Sequence, residues 1–223
     1  MAAQPVGRTL SNLGSALTAA DLAHAAEQLS RRDRRLAGIY HEHGAPPLWP
    51  RPVGFATLLR IVLEQQVSLD SAAAAYRRLQ NVVGEVTPHA FLELDDDHLK
   101  RIGFSRQKAG YGRGIATGVL DGSIDIPGLA GLDDESARQS LVQIKGIGSW
   151  SADVYLLFAL LRPDVWPNGD RALVLAMAEN LGLDDVPSYE EAAARSAVWR
   201  PWRSVAARML WNAYLARRGR IWA

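Results

Sequence analysis

Apolar residues in this 223-residue chain recur at helical spacing almost from end to end, and period-two alternation is nearly absent. That pattern leaves little room for sheets or barrels. It predicts an all-α fold of roughly ten helices of ordinary length. Punctuation residues divide the pattern. Thr18 is placed to cap an alanine-rich helix over residues 18–29. Pro46, Pro47, Pro50 and Pro52 then break the chain, so residues 44–53 read as an extended connector. Further helices are expected over residues 55–67, 69–82, 88–94, 95–102, 106–121, 133–144, 149–161, 171–181, 188–197 and 201–217. Thr87 followed by Pro88 is a cap with a first-turn proline, and Gly103 and Gly122 are stops.

Composition excludes several classes. Hydrophobic residues are 48% and charged residues 22%, ordinary for a globular chain. No apolar run reaches the ~18–20 residues that a membrane span needs. Cysteine is absent, which removes disulfides, iron–sulfur clusters and thiolate nucleophiles. With no secretory leader evident, a cytoplasmic location is expected, in the bacterial cytosol or nucleoid. The net charge is only +1, but the charges are segregated. Seven arginines and no acid lie between Ala192 and Ala223, and five basic residues and no acid between Lys100 and Arg113. Such patches suit a surface that meets phosphates.

The densest information lies in residues 141–170, LVQIKGIGSWSADVYLLFALLRPDVWPNGD. A short helix, a tight Gly146-Ile147-Gly148 turn and a second helix precede a loop that ends in Asp170. Glycines permit the turn and let a phosphate approach bare backbone N–H groups. The second helix turns its positive dipole end the same way, and Ser151 can add a hydroxyl. Asp170 also stands directly before Arg171-Ala-Leu, where an aspartate caps a helix.

The motif Leu141-x-x-Ile144-x-Gly146-Ile147-Gly148-x-Trp150-Ser151-Ala152, with an aspartate some twenty residues on, resembles the helix-hairpin-helix DNA glycosylase superfamily. Within it the chain is most similar to the DNA-3-methyladenine glycosylase II group, which removes alkylated purines. Three more segments carry the likeness: residues 61–68 (IVLEQQVS), 164–170 (DVWPNGD) and 199–211, which begins Trp-Arg-Pro-Trp-Arg-Ser. It spans about residues 50–215. The resemblance implies two helical subdomains with the active site in the cleft between them. Residues 1–53 would pack with the C-terminal helices, residues 54–165 would form the central subdomain with the hairpin at 133–161, and residues 166–223 would complete the second. The N-terminal β domain of larger members has no counterpart, so a compact form is expected.

The same resemblance assigns roles. Asp170 would be the catalytic carboxylate, stabilising the positive charge that develops on the sugar as the glycosidic bond breaks. Trp150, Trp211 and Tyr155 would line the base pocket; indole faces attract a flat cationic base with roughly 0.5–2 kcal/mol each. Trp199 and Trp202 are expected in the core, and Asp164 in a structural role. Gln66 would be the wedge that fills the duplex when the nucleotide flips out. Gly146, Gly148 and Ser151 would grip the DNA backbone. Members that also nick the strand have a lysine where this chain has Trp150, and Lys145 stands elsewhere in the motif. A monofunctional enzyme is therefore implied, releasing the base and leaving an abasic site. No cofactor is required, although main-chain carbonyls of Val142, Ile144 and Ile147 would hold a structural Na+ or K+. The expected partner is damaged double-stranded DNA, bound by a monomer. The alternatives are a glycosylase for another damaged base, such as a deaminated purine, and a non-catalytic DNA-binding module.

Overall fold

A computed structural model describes residues 16–220. Among these there are twelve α-helices and no strand. They are α1 (Ala19–Arg32), α2 (Arg34–His43), α3 (Phe55–Glu64), α4 (Leu69–Val83), α5 (Pro88–Leu92), α6 (Asp96–Ile102), α7 (Arg106–Leu120), α8 (Asp134–Val142), α9 (Ser149–Phe158), α10 (Arg171–Leu181), α11 (Tyr189–Ser196) and α12 (Arg203–Ala216). No helix among the described residues is long and apolar enough to cross a membrane.

The all-helical class agrees with the periodicity; two details differ. Helix α2 was not expected. Asp33 both ends α1 and caps α2, its carboxylate accepting from Arg35 N, so two helices meet at one residue without a glycine or proline to mark the join. The helix expected over residues 55–67 stops at Glu64. Gln65 is extended and Gln66 takes φ +57°, a left-handed conformation that no helix tolerates.

Two groups of helices pack around these boundaries. Helices α3 to α9 form one. Phe91 of α5 stacks edge-on against Phe55 of α3, with ring centroids 5.9 Å apart, and lies 5.5 Å from Phe104. Gly112 lets α7 close on them, since a Cβ there would sit 2.7 Å from the Phe91 ring. In the second group α12 packs against α1, α2 and α10. Its residues Val205, Ala206, Ala207, Met209 and Leu210 are fully buried, each burial worth roughly 1.5–3 kcal/mol for the larger side chains.

The Pro-rich connector joins the groups through buried charge. Arg51 and Glu64 form a two-bond pair at 2.9 and 2.7 Å, with Arg60 Nε 3.3 Å from the same carboxylate. Arg208 is fully buried without a carboxylate. It donates instead to the carbonyls of Leu48, Ser204 and Leu157 at 3.1, 3.1 and 2.7 Å. The guanidiniums of Arg51 and Arg208 both lie over the Phe158 ring, at 5.1 and 5.3 Å from its centroid. These contacts fix the C-terminal end of α9, which carries Trp150 at its other end.

Candidate active site

A cavity of about 830 Å³ opens between the two groups. The α3–α4 loop and the start of α9 supply one wall; α10, Tyr189 and the end of α12 supply the other. Asp170 stands at the N-terminus of α10, where local sequence puts it: Gly169 takes φ +89° and turns the loop, and Asp170 caps the helix by accepting from Leu173 N at 2.7 Å. A cap alone would leave the second carboxylate oxygen to solvent. Here Oδ2 accepts from Trp150 Nε1 at 3.0 Å, and Oδ1 also accepts from Trp211 Nε1 at 3.3 Å.

Burial pushes the Asp170 pKa above the ordinary carboxylate value, while the Trp150 indole, the Leu173 N–H, the Trp211 indole and the Ala172 N–H oppose that shift in decreasing order. The balance is a desolvated carboxylate held in one orientation by donors that favour its ionised form. Both indole N–H groups are committed to it; Trp150 is half-buried and Trp211 almost wholly buried at the cavity wall. Trp211 is braced by Phe158, stacked at 5.6 Å with planes 22° apart.

Two sequence expectations fail here. Tyr155 does not join Trp150 and Trp211. It is fully buried, and its hydroxyl accepts from Gly54 N at 3.0 Å, holding the start of α3; burial carries its pKa up to about 12 against the opposing pull of that bond. On a helix the residue that shares a face with Trp150 is four positions on, and Val154 indeed lines the cavity. Ser151 is also buried, with its hydroxyl accepting from Gln65 Nε2 at 3.0 Å. It ties the hairpin to the α3–α4 loop and presents no hydroxyl outward.

The hairpin itself is built for close approach. Gly146 takes φ +95°, and a Cβ on it would sit 2.3 Å from Cγ of Tyr111. Gly148 faces open space and gives α9 no side-chain cap, whereas nine of the twelve helices have one. The first N–H groups of α9 therefore lack the side-chain partner that those nine helices provide. Val142, Ile144 and Ile147 line a hollow of about 460 Å³ beside this turn, shared with Lys108 and Lys145. The Ile144 carbonyl accepts from Ile147 N at 2.9 Å and keeps a second lone pair. Three neutral carbonyl oxygens are hard donors, of the kind an alkali cation accepts.

Gln66 sits at the tip of the α3–α4 loop, exposed, between this hollow and the Asp170 cavity. Its left-handed backbone is held by neighbours that the sequence did not single out. Gln65 Nε2 donates to Gly146 O at 2.8 Å as well as to Ser151. Lys108 Nζ donates to the carbonyls of Leu63 and Gln65 at 2.7 and 2.8 Å, and burial lowers its pKa. The bonds from Gln65 thus tie the loop to the hairpin. Glu64, just before Gln65, borders the cavity with its carboxylate already paired to Arg51. Asp164 accepts from Arg203 Nε and Nη2 at 2.8 and 2.9 Å, and Trp199 donates to Asp33 at 2.9 Å from the core, both structural as expected. Trp202 is half-buried against the core.

With this geometry in place, comparison with known proteins is direct. The model of the HhH-GPD superfamily, described as a base excision DNA repair protein, matches residues 59–201. A Schizosaccharomyces pombe protein named DNA-3-methyladenine glycosylase 1 is 29% identical over 162 residues, covering 71% of each chain. Among solved structures, that of a Schizosaccharomyces pombe 3-methyladenine DNA glycosylase in complex with abasic DNA superposes with a TM-score of 0.79. It has 27% identity and covers 85% of this chain and 95% of that one. A Bacillus halodurans DNA-3-methyladenine glycosidase gives 0.72 at 28% identity, covering 87% and 91%.

Proposed function

Because the chain belongs to the HhH-GPD superfamily of base excision DNA repair proteins, we infer that it is a DNA glycosylase that removes alkylated purines, such as 3-methyladenine and 7-methylguanine, from duplex DNA. The observation that carries this reading is the carboxylate of Asp170 clamped between two indole N–H groups on the wall of a cavity. Phosphate binding alone needs neither the carboxylate nor the rings.

The chemistry follows from the parts. A base inside a stacked duplex is out of reach, so the nucleotide must rotate out and the gap must be filled. Gln66, exposed at the loop tip, is placed to fill it. The uncapped start of α9, with Gly146 and Gly148 before it, binds the DNA backbone; a monovalent cation on the carbonyls of Val142, Ile144 and Ile147 would add positive charge facing a phosphate. The flipped base stacks against the faces of Trp150 and Trp211. Methylation of a ring nitrogen makes that base cationic, and it leaves without needing a proton. The sugar becomes positively charged as the bond breaks. Asp170, ionised and already oriented, stabilises that charge without reorganising. Water then adds to the sugar carbon, and the products are the free base and an abasic site.

The reaction stops there. In support, the cavity wall offers no lysine: its polar side chains come from Glu, Gln, Ser, Asp, Arg and Tyr. Lys108 is spent on carbonyls of the α3–α4 loop, and Lys145 lies in the hairpin hollow. We further propose that the enzyme acts as a monomer in the cytoplasm. The test is to incubate the protein with a duplex holding one 7-methylguanine, with and without borohydride. Free 7-methylguanine and no trapped protein–DNA adduct are expected. A covalent adduct would refute the monofunctional assignment, and no free base would refute the glycosylase itself.

A further inference from the structure

Lys108 has no part in the chemistry set out above, yet its amine is committed inside the protein. It stands in the first turn of α7, where its own N–H donates to the Ser105 cap. From there its side chain crosses to the C-terminus of α3 and donates to the carbonyls of Leu63 and Gln65 at 2.7 and 2.8 Å. Helix ends leave carbonyls without an N–H partner. A lysine amine supplies donors to them and a positive charge at the negative end of the helix dipole.

The end that Lys108 caps is an uncommon one. Helix α3 stops at Glu64, and Gln66 then turns the chain at φ +57°. Glycine is the usual residue at such a left-handed position after a helix, because a Cβ crowds the backbone there. The chain is anchored on both sides of Gln66. Before it, Gln65 is bonded through its carbonyl to Lys108 and through its side chain to Gly146 O and the Ser151 hydroxyl. After it, Ser68 caps α4 by accepting from Ser71 N at 3.2 Å. Gln66 itself is exposed, so its side chain fills no interior space. A glutamine where the backbone favours glycine, next to a carbonyl held by a lysine amine, points to a use for that side chain outside the molecule.

We propose that Lys108 is a positioning residue for nucleotide flipping: it fixes the α3–α4 loop in the conformation from which Gln66 enters the duplex. This rests on the glycosylase reading above and on Gln66 as the wedge. Lys108 does not line the Asp170 cavity, so it acts through Gln66 and not on the base or the sugar. A lysine that only gripped a phosphate would raise duplex affinity and leave the rate from bound DNA unchanged. One that only supported the fold would affect every substrate alike. A lysine that sets the wedge matters most where the lesion is paired, because a paired nucleotide costs more to rotate out than a mismatched one.

The test uses two duplexes that differ only in the base opposite one 7-methylguanine, cytosine or adenine. Release is read in a single turnover at saturating enzyme. Lys108→Met should slow the paired duplex about fivefold or more beyond its effect on the mismatched one. Lys108→Gln, which removes the charge but keeps an NH2 donor on a shorter chain, should shift the ratio the same way by about twofold or more. Gln66→Ala should show the same selective loss, and adding Lys108→Met to it should slow the paired duplex by no more than about twofold further. Each ratio compares two substrates on one protein, so a partly unfolded variant does not distort it. Equal slowing of both duplexes by Lys108→Met or Lys108→Gln overturns the proposal. So do losses that multiply in the double variant, or a Lys108→Met protein that weakens duplex binding and leaves both rates unchanged. If the wild type releases 7-methylguanine from neither duplex, the glycosylase reading fails first and the proposal falls with it.

Discussion

Replacing Asp170 by asparagine should separate activity from stability. Asparagine keeps the side-chain shape and still caps α10, because its oxygen can accept from Leu173 N as Oδ1 does at 2.7 Å. What disappears is the charge. A carboxylate about 4 Å from a developing positive charge, at an effective dielectric near 20, stabilises it by about 4 kcal/mol. That corresponds to roughly a thousandfold in rate. The folding effect runs the other way. Burial raises the Asp170 pKa, so the folded state binds its proton more tightly than the unfolded chain does. The group's contribution to stability is thus fully present below the unfolded carboxylate pKa and is lost as pH rises through the folded value. At neutral pH the ionised form is a net burden that asparagine removes. One loss partly offsets this gain: with its oxygen on Leu173 and Trp211, the asparagine NH2 faces the Trp150 N–H, donor against donor. The expected outcome is single-turnover release of 7-methylguanine slowed ~10³-fold, with a thermal midpoint at pH 7.5 equal to or above that of the wild type. A variant retaining more than a tenth of the rate would refute the electrostatic role. A variant that loses activity only because it unfolds would refute the separation.

Other substitutions probe the supports. Trp150→Phe keeps a ring but removes the strongest opposing bond on Asp170, so the carboxylate pKa rises further; the acidic limb of the pH–rate profile should move to higher pH. Arg51→Met leaves Glu64 buried with only Arg60 beside it and should cost about 3 kcal/mol in urea unfolding, whereas Arg51→Met with Glu64→Leu should recover most of that. Gly146→Ala meets both a positive φ and the Tyr111 ring, so it should lower stability by at least ~2 kcal/mol and duplex affinity with it.

Much of this was legible in the chain because the signals were local. Thr18, Ser68, Thr87, Ser188 and Asp170 are caps that act within one turn, and helices begin where they stand. The Gly146-Ile147-Gly148 turn and the Asp170 loop lie within thirty residues of each other and could be read together. The errors came from direction. Tyr155 and Val154 are adjacent in sequence yet about 100° apart around α9, and only packing decided which faced the cavity. Ser151 looked like an outward hydroxyl because nothing in the sequence announces that Gln65, 86 residues away, reaches it. Helix α2 escaped because Asp33 serves two helices at once. The cavity wall built by α10, α11 and α12 was invisible for the same reason: Leu175, Tyr189 and Tyr214 come from three helices, and no spacing joins them.

The most direct trial of the function uses no chosen lesion. DNA treated with a methylating agent is incubated with the protein, and the bases set free are identified by mass spectrometry. Release of 3-methyladenine and 7-methylguanine, with unmodified adenine and guanine retained, is the predicted result. Release of neither, or release from deaminated but not from methylated DNA, would contradict it.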